Sequence, residues 1–317
     1  MKKQIRNFLL LTTLTSMSIY GINKFISISS TMKNLLKNNP GKFYDWKYGK
    51  IFYNKTGKGT PVLLIHDLNP ASSTEEWNKI YMSLSKNYTV YTMDLLGCGR
   101  SDKPNLTYTN YMYVQLITDF IKNVIGEKAN IVVTGSSASF GVMACNMNPE
   151  YFNRIILINP ENLNSLAKIP SKRKNTLKFL IDLPIFGTLI YNILFSSKSV
   201  DQKFRNDYYY KESLISSKLL DVYYESAHID KSHGKYLFSS IKSNYTNINI
   251  VHALKKVNNS IYLIFSKENE DTSMIADSYC TYNPSIETVG INHSKYLPQL
   301  ETPQELLPQL ELFLNTK

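Results

Sequence analysis

Cysteine is scarce in this 317-residue sequence, and no cluster of residues typical of a metal site stands out. The three cysteines, Cys98, Cys145 and Cys280, are scattered, which excludes a disulfide framework, and they form no Cys-x-x-Cys or Cys/His motif of the kind that binds zinc. No run of His, Asp and Glu resembles a metal cage either. We therefore expect neither a metal nor another cofactor. Because 43% of the residues are hydrophobic and 19% are charged, the composition also excludes wholesale disorder.

Acidic residues are almost absent from the first sixty positions. That segment holds eleven Lys and Arg residues and a single acid, Asp45, whereas the remaining 257 residues hold 25 bases and 24 acids. The formal net charge of +11 therefore lies on the N-terminal segment, and the rest of the chain is close to neutral. A face that binds nucleic acid would need its basic excess on the folded domain. We therefore expect no nucleic-acid partner.

The N-terminal segment, residues 1–39, has the composition of a signal-like sequence. Three basic residues precede an apolar stretch at residues 8–22. This stretch is shorter than the roughly 20 residues that span a bilayer, although counting on to Ile28 reaches that length. No Ala-x-Ala-like cleavage site follows. We expect an uncleaved single-pass anchor in the cell membrane through residues 7–28. A cleaved signal, which would make the protein secreted, and a helix packed on the domain are the alternatives.

Strand and helix patterns alternate from about residue 43, which predicts an α/β fold with a doubly wound, mostly parallel sheet. Continuous apolar runs such as Pro61–Ile65 predict buried parallel strands. Stretches with helical apolar spacing predict the helices between them. Strands are expected at residues 50–53, 61–65, 88–93, 130–134, 154–158, 260–265 and 286–291. Helices are expected at residues 75–84, 110–125, 138–146, 273–282 and 303–314.

The alternation stops at Pro160 and resumes after residue 248. Residues 161–248 are rich in Lys, Tyr and Ser and contain helical stretches without a clear buried strand. We therefore expect a helical lid inserted into one core, which is formed by residues 40–160 and 249–317. The apolar run at residues 179–195 predicts a lid helix packed over a pocket; an acyl-binding wall or a membrane-contacting face is the alternative.

Four motifs lie at or beyond the ends of predicted strands. The turn after residues 130–134 is Gly135-Ser136-Ser137-Ala138-Ser139, which is close to the G-x-S-x-G nucleophile elbow, although serine-rich turns also cap helices. The others are His66-Asp67-Leu68, the run DLLGCGRSDKP at residues 94–104 and the run LPQLETP at residues 297–303. In this order and at these spacings, the motifs closely resemble the α/β-hydrolase family. The resemblance covers roughly residues 41–317, with residues 161–248 as the variable lid.

This resemblance implies where the catalytic groups lie. Ser137 lies where the family has its nucleophile, and we expect φ > 0 there because the elbow is strained. The backbone N–H groups of Leu68 and Ala138 lie where the family has its oxyanion hole, and two such groups stabilise charge that develops in the transition state. Asp67 replaces a residue that is usually glycine. The implied substrate is a small molecule that carries an acyl group.

The positions of the catalytic base and acid depart from the family pattern. Counts from the last strand and from the LPQLETP run both place Tyr296 where histidine is usual, and His293 lies three residues too early. The acid position falls on Asn269. Asn carries no charge to stabilise an imidazolium, and Tyr, with a pKa of about 10, is a poor base. The remaining candidates are His293, His228 or His233 as the base, and Glu270 or Glu161 as the acid.

Two classes of function follow. The leading hypothesis is a membrane-anchored serine hydrolase of the esterase or lipase type, with Ser137 as the nucleophile and His293 as the base; an acyltransferase would use the same nucleophile. The alternative is a catalytically impaired protein that keeps the fold and the pocket and acts in binding or as a scaffold at the membrane. A histidine within hydrogen-bond reach of Ser137 Oγ, or one water away, would favour catalysis.

Overall fold

Eight strands form one sheet in the computed structural model, which describes residues 2–37 and 40–315. Residues 1, 38 and 39 of the predicted N-terminal segment and residues 316–317 of the predicted core lie outside the described residues. The strands are β1 (Lys42–Trp46), β2 (Gly49–Thr56), β3 (Pro61–Ile65), β4 (Thr89–Met93), β5 (Ala129–Thr134), β6 (Phe152–Ile158), β7 (Ile261–Ser266) and β8 (Glu287–Ile291).

The strand order is β1-β2-β4-β3-β5-β6-β7-β8. The pairs β1–β2 and β2–β4 are antiparallel, and the other pairs are parallel. The predicted mostly parallel sheet is therefore confirmed. Its central strands are buried on both faces: Leu63 and Ile65 belong to one apolar cluster, and Val62 and Leu64 belong to another. This alternation follows from the period of two along a strand, and it explains why these strands are continuous apolar runs.

Helices cover both faces of the sheet and extend beyond its edge. They are α1 (Lys2–Thr31), α2 (Tyr81–Leu84), α3 (Asn110–Phe120), α4 (Ser137–Met147), α5 (Leu163–Leu166), α6 (Lys172–Asp182), α7 (Phe186–Leu194), α8 (Ser197–Lys203), α9 (Ser217–Ser232), α10 (Gly234–Lys242), α11 (Val251–Lys256), α12 (Glu270–Tyr282), α13 (Pro298–Glu301) and α14 (Pro303–Asn315). The helix expected at residues 75–84 is instead a 3₁₀ turn at Thr74–Trp77 followed by the short α2.

Helices α5 to α10 lie between β6 and β7, and we call them the helical insertion. The described chain has no strand between residues 161 and 248, in agreement with the sequence pattern. Within the insertion α6 packs on α7 and α10, and α9 packs on α7, α8 and α10. Non-helical backbone at Ile229–Lys231 kinks the end of α9. The insertion is thus a packed set of helices attached to the sheet by two connections.

Helix α1 consists of two parts with different surroundings. Residues 3–15 are exposed to solvent. Further along, α1 packs against α7 and α9. The buried Asn23 donates a hydrogen bond to the carbonyl of Ile185 and accepts one from Asn192, whose own carbonyl accepts from Ser232. The packed-helix alternative therefore describes the second part of α1.

No single helix of the described residues has both the length and the apolar character needed to cross a membrane. The bent pair of α6 and α7, whose axes differ by 97°, meets these requirements jointly, by length and composition only. The membrane location of the protein stays a prediction.

Candidate functional site

The turn between β5 and α4 is the predicted nucleophile elbow, but its left-handed residue is Gly135, with a φ of +57°. Ser136 has helical dihedrals, and Ser137 is the first residue of α4. The prediction of a positive φ at Ser137 is therefore wrong. The chain enters the left-handed region directly after β5, at the one residue of the turn that has no Cβ and adopts this conformation at low cost.

Gly135 thus lies at the strained position where a nucleophile elbow carries its nucleophile. A Cβ built on Gly135 would lie 2.3 Å from Asp67 Oδ1 and 2.3 Å from Tyr296 Oη. Both distances are too short for a Cβ atom. The volume that a nucleophilic side chain would enter is therefore already occupied by Asp67 and Tyr296.

Ser137 is fully buried, and its hydroxyl donates a hydrogen bond of 2.8 Å to the carbonyl oxygen of His66. The N–H of Ala138 donates to the carbonyl of Gly135, so it is engaged within the turn and does not serve an oxyanion hole. Leu68, which supplies the other predicted amide, follows β3 and lines the large cavity described below. The turn that carries Leu68 therefore adjoins the elbow, but the N–H of Ala138 does not face the cavity with it.

The Asp67 carboxylate is held above the elbow by three donors. Its Oδ1 accepts hydrogen bonds from the N–H of Ser136 at 2.9 Å and from Ser136 Oγ at 2.8 Å, and its Oδ2 accepts one from Tyr296 Oη at 3.1 Å. We call this carboxylate and its donors the Asp67 plug. In an elbow, the N–H after the nucleophile position helps to bind the oxyanion. With Gly135 at that position, the N–H of Ser136 is the equivalent group, and it donates its hydrogen bond to Asp67.

Tyr296 reaches the elbow from the loop between β8 and α13. Its ring stacks on Tyr208 with centroids 5.3 Å apart, and Asn159, which follows β6, donates to its backbone carbonyl at 2.9 Å. Burial raises the pKa of the Tyr296 hydroxyl well above its ordinary value, and the nearby Asp67 carboxylate adds to this rise. The hydroxyl is therefore a hydrogen-bond donor to Asp67 at neutral pH and cannot act as a general base.

The histidines do not supply a base to Ser137. His66 is buried, its Nε2 accepts from the N–H of Leu95, and its Nδ1 therefore donates to the carbonyl of Asp67. Burial lowers the pKa of His66, so the ring is neutral and holds the turn together. The side chain of His293 is 58% exposed and lies 3.8 Å from Glu268.

The two histidines of the helical insertion are engaged elsewhere. His228 Nδ1 bonds to the carbonyl of Tyr224, and His233 pairs with Asp230. The structure therefore does not bring His293, His228 or His233 to Ser137, and the displaced-base hypothesis has no geometric support.

The predicted acids also lie apart from Ser137. Asn269 caps the N-terminus of α12, and Glu270 begins that helix as an exposed side chain. Glu161, after β6, lines the large cavity together with Asp67. Burial raises the pKa of Glu161, and the charge of Asp67 adds to the effect. None of these groups forms a hydrogen bond with Ser137 or with a histidine in the described chain.

The buried carboxyl group of Glu76 contacts the backbone of Asp67, and no sequence motif had pointed to it. Its Oε1 accepts from Tyr223 Oη at 2.9 Å, and its Oε2 lies 3.4 Å from the N–H of Asp67. Burial raises the pKa of Glu76 to about 8, so the group is mostly protonated at neutral pH. The one unusual feature in the sequence nearby was Asp67, an acidic residue in the turn after β3 where glycine is usual.

The model of the alpha/beta hydrolase family matches residues 62–308. This chain belongs to the alpha/beta hydrolase family. The 2-hydroxy-6-oxo-6-(2'-aminophenyl)hexa-2,4-dienoic acid hydrolase of Metapseudomonas resinovorans is 31% identical over 113 residues, which are 35% of this chain and 39% of that enzyme. The matched segment is thus well under half of the relative's length.

Two solved structures are similar to this α/β hydrolase throughout. A serine hydrolase involved in carbazole degradation superposes with a TM-score of 0.72 and 18% identity over 88% of this chain and 99% of that one. A membrane phospholipase A, a bacterial virulence factor, superposes with a TM-score of 0.68 and 15% identity over 99% of this chain and 98% of that one. At these identities the likeness shows the fold. The family match and the related hydrolases support a protein of the hydrolase type.

A cavity of about 1040 Å³ opens above the Asp67 plug of this α/β hydrolase, between the strand ends and the helical insertion. We call it the main cavity. Its core side carries Asp67, Ser136, Glu161 and Tyr296, and its insertion side carries several lysines. Within the described residues, no group of three His, Cys, Asp or Glu side chains could hold a metal ion. The arrangement can bind a polar ligand, but it does not present a serine that is paired with a histidine.

Proposed function

We propose that this hydrolase-type chain has lost the serine chemistry of its family and acts by binding a ligand in the main cavity. The observation that carries this proposal is the filled volume above Gly135, where Asp67 Oδ1 and Tyr296 Oη stand 2.3 Å from the position of a side-chain Cβ. A nucleophile has no room there. The plug also directs a carboxylate at the N–H of Ser136, the group that would have to stabilise a developing oxyanion.

The proposal is tested with a fluorophosphonate probe, which labels activated serines. We expect no labelling of the wild-type chain and no difference between wild type and Ser137→Ala. The combined variant Asp67→Gly, Gly135→Ser, Asn269→Asp and Tyr296→His restores the family residues, and we expect it to gain labelling. Labelling of the wild type that Ser137→Ala removes would contradict the proposal.

A second candidate function, an esterase that uses Ser136, is favoured by one observation. Ser136 Oγ lines the main cavity and donates a hydrogen bond of 2.8 Å to Asp67, so a carboxylate is placed to accept its proton. Carboxylates are in general weaker bases than the histidine of a triad, and for this reason we rank this candidate second. Labelling of the wild type that Ser136→Ala removes would establish it.

We propose further that α1 attaches the protein to the cell membrane. The exposed part of α1 carries large apolar side chains, among them Phe8, Leu10 and Leu14, which are 66%, 56% and 61% exposed. The adjacent α7 exposes Phe186 and Ile193 and packs against α1. Exposed apolar helices next to basic residues are typical of membrane-surface attachment.

Flotation with vesicles that contain phosphatidylserine tests the attachment. We expect the wild type to float with the vesicles, and the variant Leu10→Asp with Leu14→Asp to remain in the aqueous fraction. A matched control, Met82→Asp with Met274→Asp, changes two equally exposed apolar residues away from α1 and should float like the wild type. Equal flotation of the Leu10/Leu14 variant would contradict the attachment through α1.

A further inference from the structure

A second cavity of about 330 Å³ adjoins the main cavity, and we call it the side pocket. Four residues line both spaces: Asn69, Lys203, Tyr208 and Lys242. Beyond this junction the side pocket is lined chiefly by apolar and aromatic side chains, which include Leu194, Phe195, Phe204 and Phe238. The two spaces together therefore offer a polar compartment and an apolar compartment with lysines between them.

The junction has an excess of positive charge. The Lys242 ammonium lies over the Phe238 ring, 5.5 Å from its centroid, and has no carboxylate partner in the described chain. Lys174 donates a hydrogen bond to the backbone carbonyl of Lys242, which brings a further ammonium to this wall. Lys203 is paired with Asp207. Burial lowers the pKa of Lys242, and the charges of Lys203 and Lys174 lower it further, so an anion bound here would relieve repulsion.

We propose that the joined cavities bind a single-chain amphiphile with an anionic head group. The head group lies at Lys203 and Lys242, and the alkyl chain fills the side pocket. This inference rests on the proposed binding function and names the class of its ligand.

Two features fix the direction in which the ligand lies. The core side of the main cavity carries two carboxylates, Asp67 and Glu161, against Lys295. The junction carries Lys203, Lys242 and the neighbouring Lys174 against one carboxylate, Asp207, so the anionic head group lies at the junction. The apolar and aromatic lining of the side pocket favours burial of the methylene groups of an alkyl chain. The same lining offers few polar groups to a hydrophilic ligand.

Calorimetric titration with dodecanoate, dodecanol and butanoate tests this inference. The full-length protein is used with Leu10→Asp and Leu14→Asp, which removes the apolar surface of α1 as a competing site. We expect dodecanoate to bind, and dodecanol and butanoate to bind at least tenfold more weakly. Lys242→Gln should weaken dodecanoate about tenfold, the effect of one lost charge contact, and should leave dodecanol unchanged. Dodecyl phosphate, run in parallel, distinguishes a phosphate head group from a carboxylate.

The matched control is Lys255→Gln, because Lys255 is an exposed lysine that lies 5.4 Å above the Tyr282 ring and lines neither cavity. It should bind dodecanoate like the parent. Equal binding by Lys242→Gln and the parent, or equal affinity for dodecanol and dodecanoate, would overturn the inference. If the protein neither binds dodecanoate nor reacts with the fluorophosphonate probe, the proposed ligand class is refuted and the binding function is not. Labelling by the fluorophosphonate probe would refute the binding function itself.

Discussion

Gly135 and Asp67 depend on each other. Asp67 has room for its carboxylate because Gly135 has no side chain, and Gly135 tolerates its left-handed backbone for the same reason. A serine at position 135 would require the carboxylate to leave, and a glycine at position 67 would leave the N–H of Ser136 without its acceptor. The effect of a change at one position therefore depends on the residue at the other.

We expect Gly135→Ser to lower the free energy of unfolding by about 2–4 kcal/mol, because it adds backbone strain and steric overlap. Asp67→Gly in the same chain should recover about 1–2 kcal/mol, the range of coupling between residues in contact. The control Gly126→Ser has a similar positive φ, +80°, with no atom near its Cβ, so it reports strain alone. Urea unfolding is measured for five proteins: the wild type, Gly135→Ser, Asp67→Gly, their double variant and the control Gly126→Ser. Strictly additive effects at positions 67 and 135 would contradict the coupling.

Glu76 gives the fold a predictable dependence on pH. Its pKa in the folded protein is about 8, against an ordinary value near 4.5. Between these values the unfolded chain has released the proton and the folded chain retains it. The contribution to stability is therefore complete below about pH 4.5 and is lost as the pH rises through 8.

We expect the free energy of unfolding to fall within this window by up to about 1.4 kcal/mol per pH unit through Glu76 alone. Glu76→Gln keeps the shape of the group without its titration and should flatten the decline. The exposed Glu150 provides the control Glu150→Gln, which should leave the slope as it is in the wild type. Chemical unfolding at intervals from pH 5 to pH 8 measures the effect, and parallel curves for Glu76→Gln and wild type would argue against it.

The strands were predictable from the sequence because a buried parallel strand is a local signal. The runs expected at residues 61–65, 88–93 and 130–134 agree with β3, β4 and β5 to within one residue.

The position of the left-handed residue in the elbow was not predictable in this way. The spacing matched Gly135-Ser136-Ser137, but the left-handed residue is determined by where β5 ends, at Thr134. The placement of Tyr296 near the elbow came from two independent counts, whereas its contact with Asp67 needed the folded chain.

The contact between α1, α7 and α9 depends on a small buried polar network that no sequence pattern indicated. Asn192, which is 1% exposed, donates to Asn23 and accepts from Ser232. Each partner lies on a different helix, so the network fixes the three helices relative to one another. Hydrogen bonds of this kind are costly to break because the partners stay buried.

We expect Asn192→Leu to lower the free energy of unfolding by about 2–4 kcal/mol, since Asn23 and Ser232 would each lose a partner. The control Asn123→Leu removes an exposed bond to Tyr44 and should cost less than about 1 kcal/mol. Thermal unfolding measures both variants. A similar loss in the two variants would show that the network does not hold α1 in place.

Helix α1 belongs to the fold over part of its length, and this changes the expected result of a deletion. If residues 7–28 served only as an anchor, removal of residues 1–30 would simply release the protein from membranes. In the structure, that deletion also removes Asn23 and uncovers the faces of α7 and α9 that α1 contacts. Loss of membrane association and loss of stability would then occur together, so the two effects need separate deletions.

We expect deletion of residues 2–15 to leave the midpoint of urea unfolding nearly unchanged, because residues 3–15 are exposed. Deletion of residues 2–31 should lower the midpoint clearly, because it strips a packed helix from the insertion. The shorter deletion is the control for the longer one. Equal midpoints in the two proteins would mean that the packing of α1 contributes nothing to stability.

The Asp67 plug also affects which proteins of this fold are recorded as serine hydrolases by two different kinds of inventory. Inventories made with covalent serine probes record a protein only when a hydroxyl attacks the reagent. Inventories made from sequence or fold record this chain because the sheet, the elbow turn and the helices are all present. The proposed binding function predicts that the two inventories disagree about this chain, because Asp67 accepts the N–H that would bind an oxyanion. We therefore expect an acidic residue in the turn after the third strand to mark proteins of this fold that covalent serine probes do not label.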